Sequence, residues 1–246
     1  MTKSPSHAGN KKAASDTLTL RTALAPGGGR VMWERAVREV LPTIKNLVQP
    51  GSMVFEIGYG NGLLSCYFCQ ELGWRMVGVE IDREAQQNAE LHAREYGLTE
   101  RIDFLCGDPE EAYRQRGQFD AVFIKTVLYH AKSLEEYGQW LDRIVPVLRP
   151  GGILINFETG KANALTQCYR RLRRRSYTDL CLYTRQVEVL YEARFDIIER
   201  RYYGGLSQFL TPLPFIYTMA ACLEENLRPR HADNCFIASI IARRPL

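Results

Sequence analysis

Three glycines at alternate positions after an apolar run constrain this 246-residue chain more than any other feature. Val54-Phe55-Glu56-Ile57 reads as a buried strand, and Gly58-Tyr59-Gly60-Asn61-Gly62 as the turn it breaks into, with a helix opening near Leu63. Glycine supplies positive φ without steric cost, and its bare Cα lets backbone N–H groups approach a ligand at a helix N-terminus. Asn61 is the other residue of the turn suited to unusual backbone angles. A dinucleotide fingerprint wants glycines at first, third and sixth places, but the sixth place here is Leu63.

Further strand ends follow in order. Arg75–Glu80 is a short apolar strand closed by Glu80, 22 residues after Gly58, where a carboxylate can accept ribose hydroxyl protons. Dinucleotide folds place an acid at a similar spacing, so Glu80 alone does not separate the two classes. Arg101–Asp108 is a strand followed by Asp108, which also suits a helix N-cap before Pro109-Glu110-Glu111. Gln118–Ile124 reads as a fourth strand, and Leu148-Arg149-Pro150-Gly151-Gly152-Ile153 as helix end, turn and fifth strand.

With its E-x-G-x-G-x-G run from Glu56 to Gly62 and these strand ends, the chain resembles class I S-adenosylmethionine-dependent methyltransferases from about Trp33 to Arg201, with a last strand at Cys235 to Ala242. The resemblance implies an α/β, Rossmann-like, seven-stranded, mostly parallel sheet with an antiparallel last strand and helices on both faces. It implies S-adenosyl-L-methionine as cofactor. Glu56, Gly58, Gly60, Asn61 and Gly62 would form the methionine-side cradle, Glu56 buttressing the loop or receiving the ammonium. Glu80 would take the ribose and Asp108 the adenine amino group. Lys125 would contact the cofactor's amino-acid portion through its backbone, its side chain reaching solvent.

Helical runs are expected over Val31–Val48, Leu63–Leu72, Arg83–Tyr96, Glu110–Arg116, Leu134–Val147 and Thr184–Ala193, with a sixth strand at Phe195–Tyr203. In the first helix Val31, Val37, Val40, Leu41, Ile44 and Leu47 should face the sheet. Residues 1–29 read as a flexible tail, poor in large apolar residues before Leu18 and stopped by Pro26-Gly27-Gly28-Gly29, and 30–246 as one domain. Two segments, 160–182 and 204–234, fall outside the common core and are expected on the acceptor side. The first holds five arginines between Arg170 and Arg175, a solvated face or an anion site; the second is unusually apolar.

For chemistry, His130 after strand four is the candidate base and Tyr129 its neighbour for orienting an acceptor. Glu158, just past strand five, and Tyr203, past strand six, point toward the site by position, as supporting rather than catalytic groups. The expected acceptor is a small organic molecule, apolar or amphipathic, methylated at oxygen. No signal peptide precedes the domain and no apolar run approaches a membrane span, and the seven scattered cysteines suit reduced thiols, so the expectation is cytoplasmic. Cys66 and Cys69 read as buried helical cysteines, and the four histidines have no ligand spacing, so no metal is expected. Net charge +4 with one basic run is a modest nucleic-acid footprint, and the fourth strand lacks the Pro-Pro or Pro-Cys turns of base-methylating enzymes. No stable nucleic-acid partner is expected, RNA methylation being the alternative. A dinucleotide oxidoreductase and a non-catalytic cofactor-binding protein are the other readings. Acceptor identity and oligomeric state stay open.

Overall fold

A computed structural model describes residues 17–24, 30–161, 167, 181–204 and 231–246. Its frame is one seven-stranded sheet in the order β3-β2-β1-β4-β5-β7-β6. The strands are β1 (Met53–Ile57), β2 (Arg75–Glu80), β3 (Ile102–Cys106), β4 (Phe119–Lys125), β5 (Leu148–Thr159), β6 (Asp196–Tyr203) and β7 (Ile237–Arg243). β1 to β5 pair in parallel, and β7 runs antiparallel between β5 and β6. The chain order reverses at β1, so β1 pairs with both β2 and β4, and the crevice at their carboxyl ends is where open α/β sheets bind ligands.

Strand pleating sorts the core into two apolar clusters, one on each face. Along β4, Ala121 and Phe123 enter one cluster, Val122 and Ile124 the other. The first is covered by α1 (Leu20–Ala23), α2 (Arg30–Leu47), α3 (Leu63–Leu72) and α4 (Arg83–Glu95). The second is covered by α5 (Pro109–Arg116), α6 (Leu134–Ile144) and α7 (Arg185–Glu192). Both faces of the parallel part are buried, which explains the unbroken apolar strands of the sequence.

Helix limits differ from the sequence expectation at their ends. α2 starts at Arg30, and α6 stops at Ile144, followed by a 3-10 turn over Val145–Val147 that contains Pro146. The buried face of α2 is Met32, Ala36, Val37, Val40 and Ile44. Val31 is 38% exposed, contrary to expectation, because the buried stripe repeats every four residues through Met32, Ala36, Val40 and Ile44 and leaves Val31 at its edge. Part of the expected tail is docked: Leu18, Leu20, Ala23 and Leu24 are buried, the Leu18 N–H donates to Gln70 Oε1 (3.3 Å), and Thr19 caps α1 through a reciprocal box with Thr22. Four apolar side chains in seven residues supply enough burial to hold a one-turn helix that is too short to persist alone. Residues 170–175 and 205–230, which carry the arginine run and most of the apolar insertion, lie outside the described residues.

Candidate active site at the carboxyl ends of the strands

β1 leads directly into the glycine loop. Gly58, Gly60 and Gly62 have φ of 76°, 55° and 72°. The three are not equivalent. A Cβ on Gly58 would lie 2.5 Å from Val127 Cγ2, and one on Gly62 would lie 2.6 Å from Ala89 Cβ and 2.7 Å from Phe104 Cζ, so these two let the loop pack against its neighbours. At Gly60 nothing described lies within 4 Å of that position, so the backbone there faces open space. Asn61 does not take a positive φ, contrary to expectation; its Oδ1 accepts the Leu63 N–H (3.3 Å) in a local turn, and its carbonyl accepts from His92 Nδ1 (2.8 Å). Gly62 carries the left-handed residue needed to enter α3.

Glu80 ties the loop to β2. Its Oε2 accepts the Gly60 N–H (3.0 Å), and its Oε1 accepts the N–H groups of Ile81 (2.8 Å) and Asp82 (3.4 Å). A carboxylate offers about four lone-pair sites, so one acceptor position is left on Oε2. Tyr59 packs on Phe104, ring centroids 4.5 Å apart, and donates its O–H to the Leu105 carbonyl (3.0 Å), which fastens the loop to β3. Asp108, exposed after β3, caps α5 by accepting the Glu110 N–H at Oδ1 (2.6 Å). Cys66 and Cys69 are fully buried on α3.

Glu56 lies beneath the loop, 2% exposed, and accepts from Ser65 Oγ (2.5 Å). Burial pushes its carboxyl up to about 7, opposed by the Ser65 hydrogen bond and the positive charge of Lys125. Lys125 corrects the sequence expectation. Its side chain is half-buried rather than free in solvent and turns toward α2, Nζ lying 4.4 Å from the Trp33 ring centroid. Burial lowers its pKa, while Glu56 and Glu158 act to raise it. Trp33 was not singled out in the sequence, since a helical tryptophan gives no local sign of which strand end it crosses.

Beyond Lys125 the chain turns sharply. Thr126 has φ 56°, the one positive-φ residue other than glycine among the described residues, and its N–H donates to the Phe157 carbonyl (2.8 Å). Such strain persists where surrounding structure fixes it, and it clusters at functional sites. A 3-10 turn, Leu128–His130, follows. It presents Tyr129 and the exposed His130 with ring centroids 4.1 Å apart. Below the turn, Glu158 is 1% exposed and accepts the Leu128 N–H at Oε1 (2.9 Å). Tyr203 is buried against α2, its O–H donating to the Ala36 carbonyl (3.3 Å).

Glycine loop, Glu80, Asp108 and the Tyr129–His130 turn thus lie at the ends of the adjacent strands β1 to β4, with Gly60 as the open point between them. The residues of that cradle fit a nucleoside carrying an amino-acid tail: open space beside the Gly60 Cα, a carboxylate with acceptor capacity at Glu80 and a buried acid at Glu56.

Residues 54–152 match the family described as "Methyltransferase domain". A sterol 24-C-methyltransferase of Pneumocystis carinii is 27% identical over 111 residues, covering 45% of this chain and 29% of that protein. The chain therefore spans less than a third of that relative's length. Among solved structures, the N-methyltransferase NodS from Bradyrhizobium japonicum, in complex with S-adenosyl-L-homocysteine, superposes with TM-score 0.56 at 16% identity, over 87% of this chain and 88% of NodS. The [4+2]-cyclase SpnF gives TM-score 0.59 at 22% identity, over 87% of this chain and 83% of SpnF. The matched segment is that of a methyltransferase domain, and the fold is shared with these solved structures. Solved structures of this fold include S-adenosylmethionine-dependent methyltransferases, among them NodS with S-adenosyl-L-homocysteine bound.

Proposed function

We propose that this protein transfers a methyl group to an oxygen of a small organic acceptor with an apolar or amphipathic body. S-adenosylmethionine, when bound, supplies a methyl carbon on a sulfonium, which is an activated leaving group. Glu56 receives the ammonium of the amino-acid portion or holds the loop that does. Gly58, Gly60, Asn61 and Gly62 line the methionine side, Glu80 takes a ribose hydroxyl, and Asp108 accepts from the adenine amino group. Lys125 contributes its backbone at the strand end, while its side chain holds Trp33. His130 removes the acceptor hydroxyl proton, and Tyr129 orients the acceptor. Holding nucleophile and methyl carbon about 3–3.5 Å apart in line supplies much of the rate enhancement.

The observation that carries this reading is the juxtaposition of an open glycine loop with an exposed histidine on the turn after β4. The sterol methyltransferase relatives support an apolar acceptor. They carry carbon in their names, and NodS carries nitrogen, so the choice of oxygen rests on His130 as a base. The acidic or phosphorylated acceptor that would suit the Arg170–Arg175 run is part of the same proposal.

The test is release of S-adenosylhomocysteine on incubation with S-adenosylmethionine and a panel of sterols, phenols and amphipathic acids, followed by mass spectrometry of the product. His130→Ala should lower kcat roughly 10²- to 10⁴-fold while cofactor affinity holds. A methylated carbon or nitrogen, or full activity in His130→Ala, would refute the oxygen mechanism. SpnF, a cyclase on the same fold, makes product identification essential.

A further inference from the structure

Glu158 is the next-to-last residue of β5, and its carboxylate is buried without a direct ion pair among the described residues. Burying a charge this way is costly unless hydrogen bonds compensate. Oε1 accepts the Leu128 N–H at 2.9 Å, and backbone hydrogen bonding from Val127, Tyr129 and Thr159 also favours the ionised form. Oε2 is buried with no partner among the described residues. The same turn is gripped from its other side by the Cys181 N–H, which donates to the carbonyls of both Tyr129 and Ala131 at 2.9 Å. Upstream, Thr126 is held at its positive φ by the Phe157 carbonyl and by its own Oγ1, which donates to the Lys125 carbonyl (2.7 Å).

We infer that Glu158 is a positioning residue whose carboxylate holds the Leu128 amide at the centre of the turn and so fixes the direction in which Tyr129 and His130 face the acceptor. This rests on the reading of His130 as an acceptor-side group. A purely structural acid at a strand end would need no such convergence on one short turn, and an apolar residue there would leave the Leu128 amide without its acceptor.

The hold is pH-dependent. Burial pushes the Glu158 carboxyl up to about 7 against those backbone hydrogen bonds. The titratable groups that face it are Lys125 from β4, Tyr137 from α6, Tyr191 from α7 and Cys181 from the segment before α7. Burial raises the two phenols and the thiol, so they stay neutral from pH 6 to 8, and burial lowers Lys125. A neutral carboxyl accepts amide hydrogen bonds about half as strongly as a carboxylate, so the turn loosens as pH falls through 7.

Amide hydrogen exchange read by NMR, corrected for intrinsic rates between pH 6 and 8, tests this. In the wild type, protection of Leu128 should be several-fold higher at pH 8 than at pH 6. In Glu158→Gln it should be low and flat with pH, and kcat should fall while cofactor KM stays unchanged. Equal, pH-independent protection in both proteins would overturn the inference. The wild-type series stands even if the variant folds poorly. If protection follows the prediction but His130→Ala is fully active, the clamp is supported and the proposed role of His130 is lost.

Discussion

The Gly60 N–H donates to Glu80 Oε2 at 3.0 Å, joining the open point of the glycine loop to the end of the neighbouring strand. This bond couples two features that are 20 residues apart and gives them one geometry. With Ile81 and Asp82 also donating to Oε1, the carboxylate is fixed in place and keeps one acceptor position. Preorganisation of this kind lowers the cost of ordering a ligand-binding group at the moment of binding.

Alanine at Gly60 and at Gly62 should fail differently. Both need φ near +60°, which costs roughly 1–2 kcal/mol for a residue with a Cβ. At Gly62 the new methyl also collides with Ala89 and Phe104, adding about 1–3 kcal/mol of overpacking. Thermal unfolding should therefore show the larger drop in Tm for Gly62→Ala. Gly60→Ala should stay folded, with the Cβ projecting into open space, and should weaken S-adenosylhomocysteine binding by titration calorimetry. Equal Tm losses would contradict the distinction.

Stability should fall as pH rises from about 4.5 to about 7. Glu56 and Glu158 both move from an ordinary 4.5 to about 7 in the folded protein, so the native state binds more protons than the unfolded state in that window. Their contribution is complete below 4.5 and lost as pH passes 7. Each is worth on the order of 3 kcal/mol. Scanning calorimetry of the unliganded protein should show Tm declining between pH 5 and 8. Glu56→Gln should flatten about half of the slope, and a Tm rising through this range would be contrary to the account.

Much of this frame was legible because it depends on local rules. Gly58, Gly60 and Gly62 mark a turn wherever they occur together, Glu80 closes an apolar run, and the Pro150-Gly151 turn sits at the start of β5. What escaped depends on distant neighbours. Lys125 turns toward α2 because Trp33 and Glu56 meet it across the sheet end, and no charge pattern along β4 reveals that. Thr126, rather than Asn61, adopts positive φ because Phe157, on an adjacent strand, holds its amide. Leu18 to Leu24 docks because α3 offers a surface, and a short apolar cluster inside a polar tail does not announce its partner.

Cofactor binding should release a proton near pH 7. With the ligand's ammonium beside Glu56, the ionised carboxylate is favoured and its pKa drops from about 7. Titration calorimetry with S-adenosylhomocysteine in buffers of different ionisation enthalpy would report a fraction of a proton released at pH 6.5–7 and much less at pH 8.5. The release should vanish in Glu56→Gln. No buffer dependence at any pH would place the ammonium elsewhere.

Trp33 should report on the same event, since its ring carries the Lys125 ammonium. Lys125→Met removes the cation but keeps an apolar stem, and the loss of about 0.5–2 kcal/mol of cation–π energy should loosen α2 at its start. Difference fluorescence against Trp33→Phe, which leaves Trp74 and Trp140, isolates its signal. Lys125→Met should shift that signal toward the solvent-exposed position, and an unchanged spectrum would argue against the contact.

The central claim is that the glycine loop and Glu80 bind S-adenosylmethionine. Calorimetric titration of wild type and Glu80→Ala with S-adenosylmethionine, S-adenosylhomocysteine and NAD tests it most directly. Both sulfur-containing ligands should bind and NAD should not, with a roughly 10- to 100-fold loss in the variant from removal of a charged hydrogen-bonding group. Binding of NAD alone, or undiminished binding of S-adenosylhomocysteine to Glu80→Ala, would contradict it.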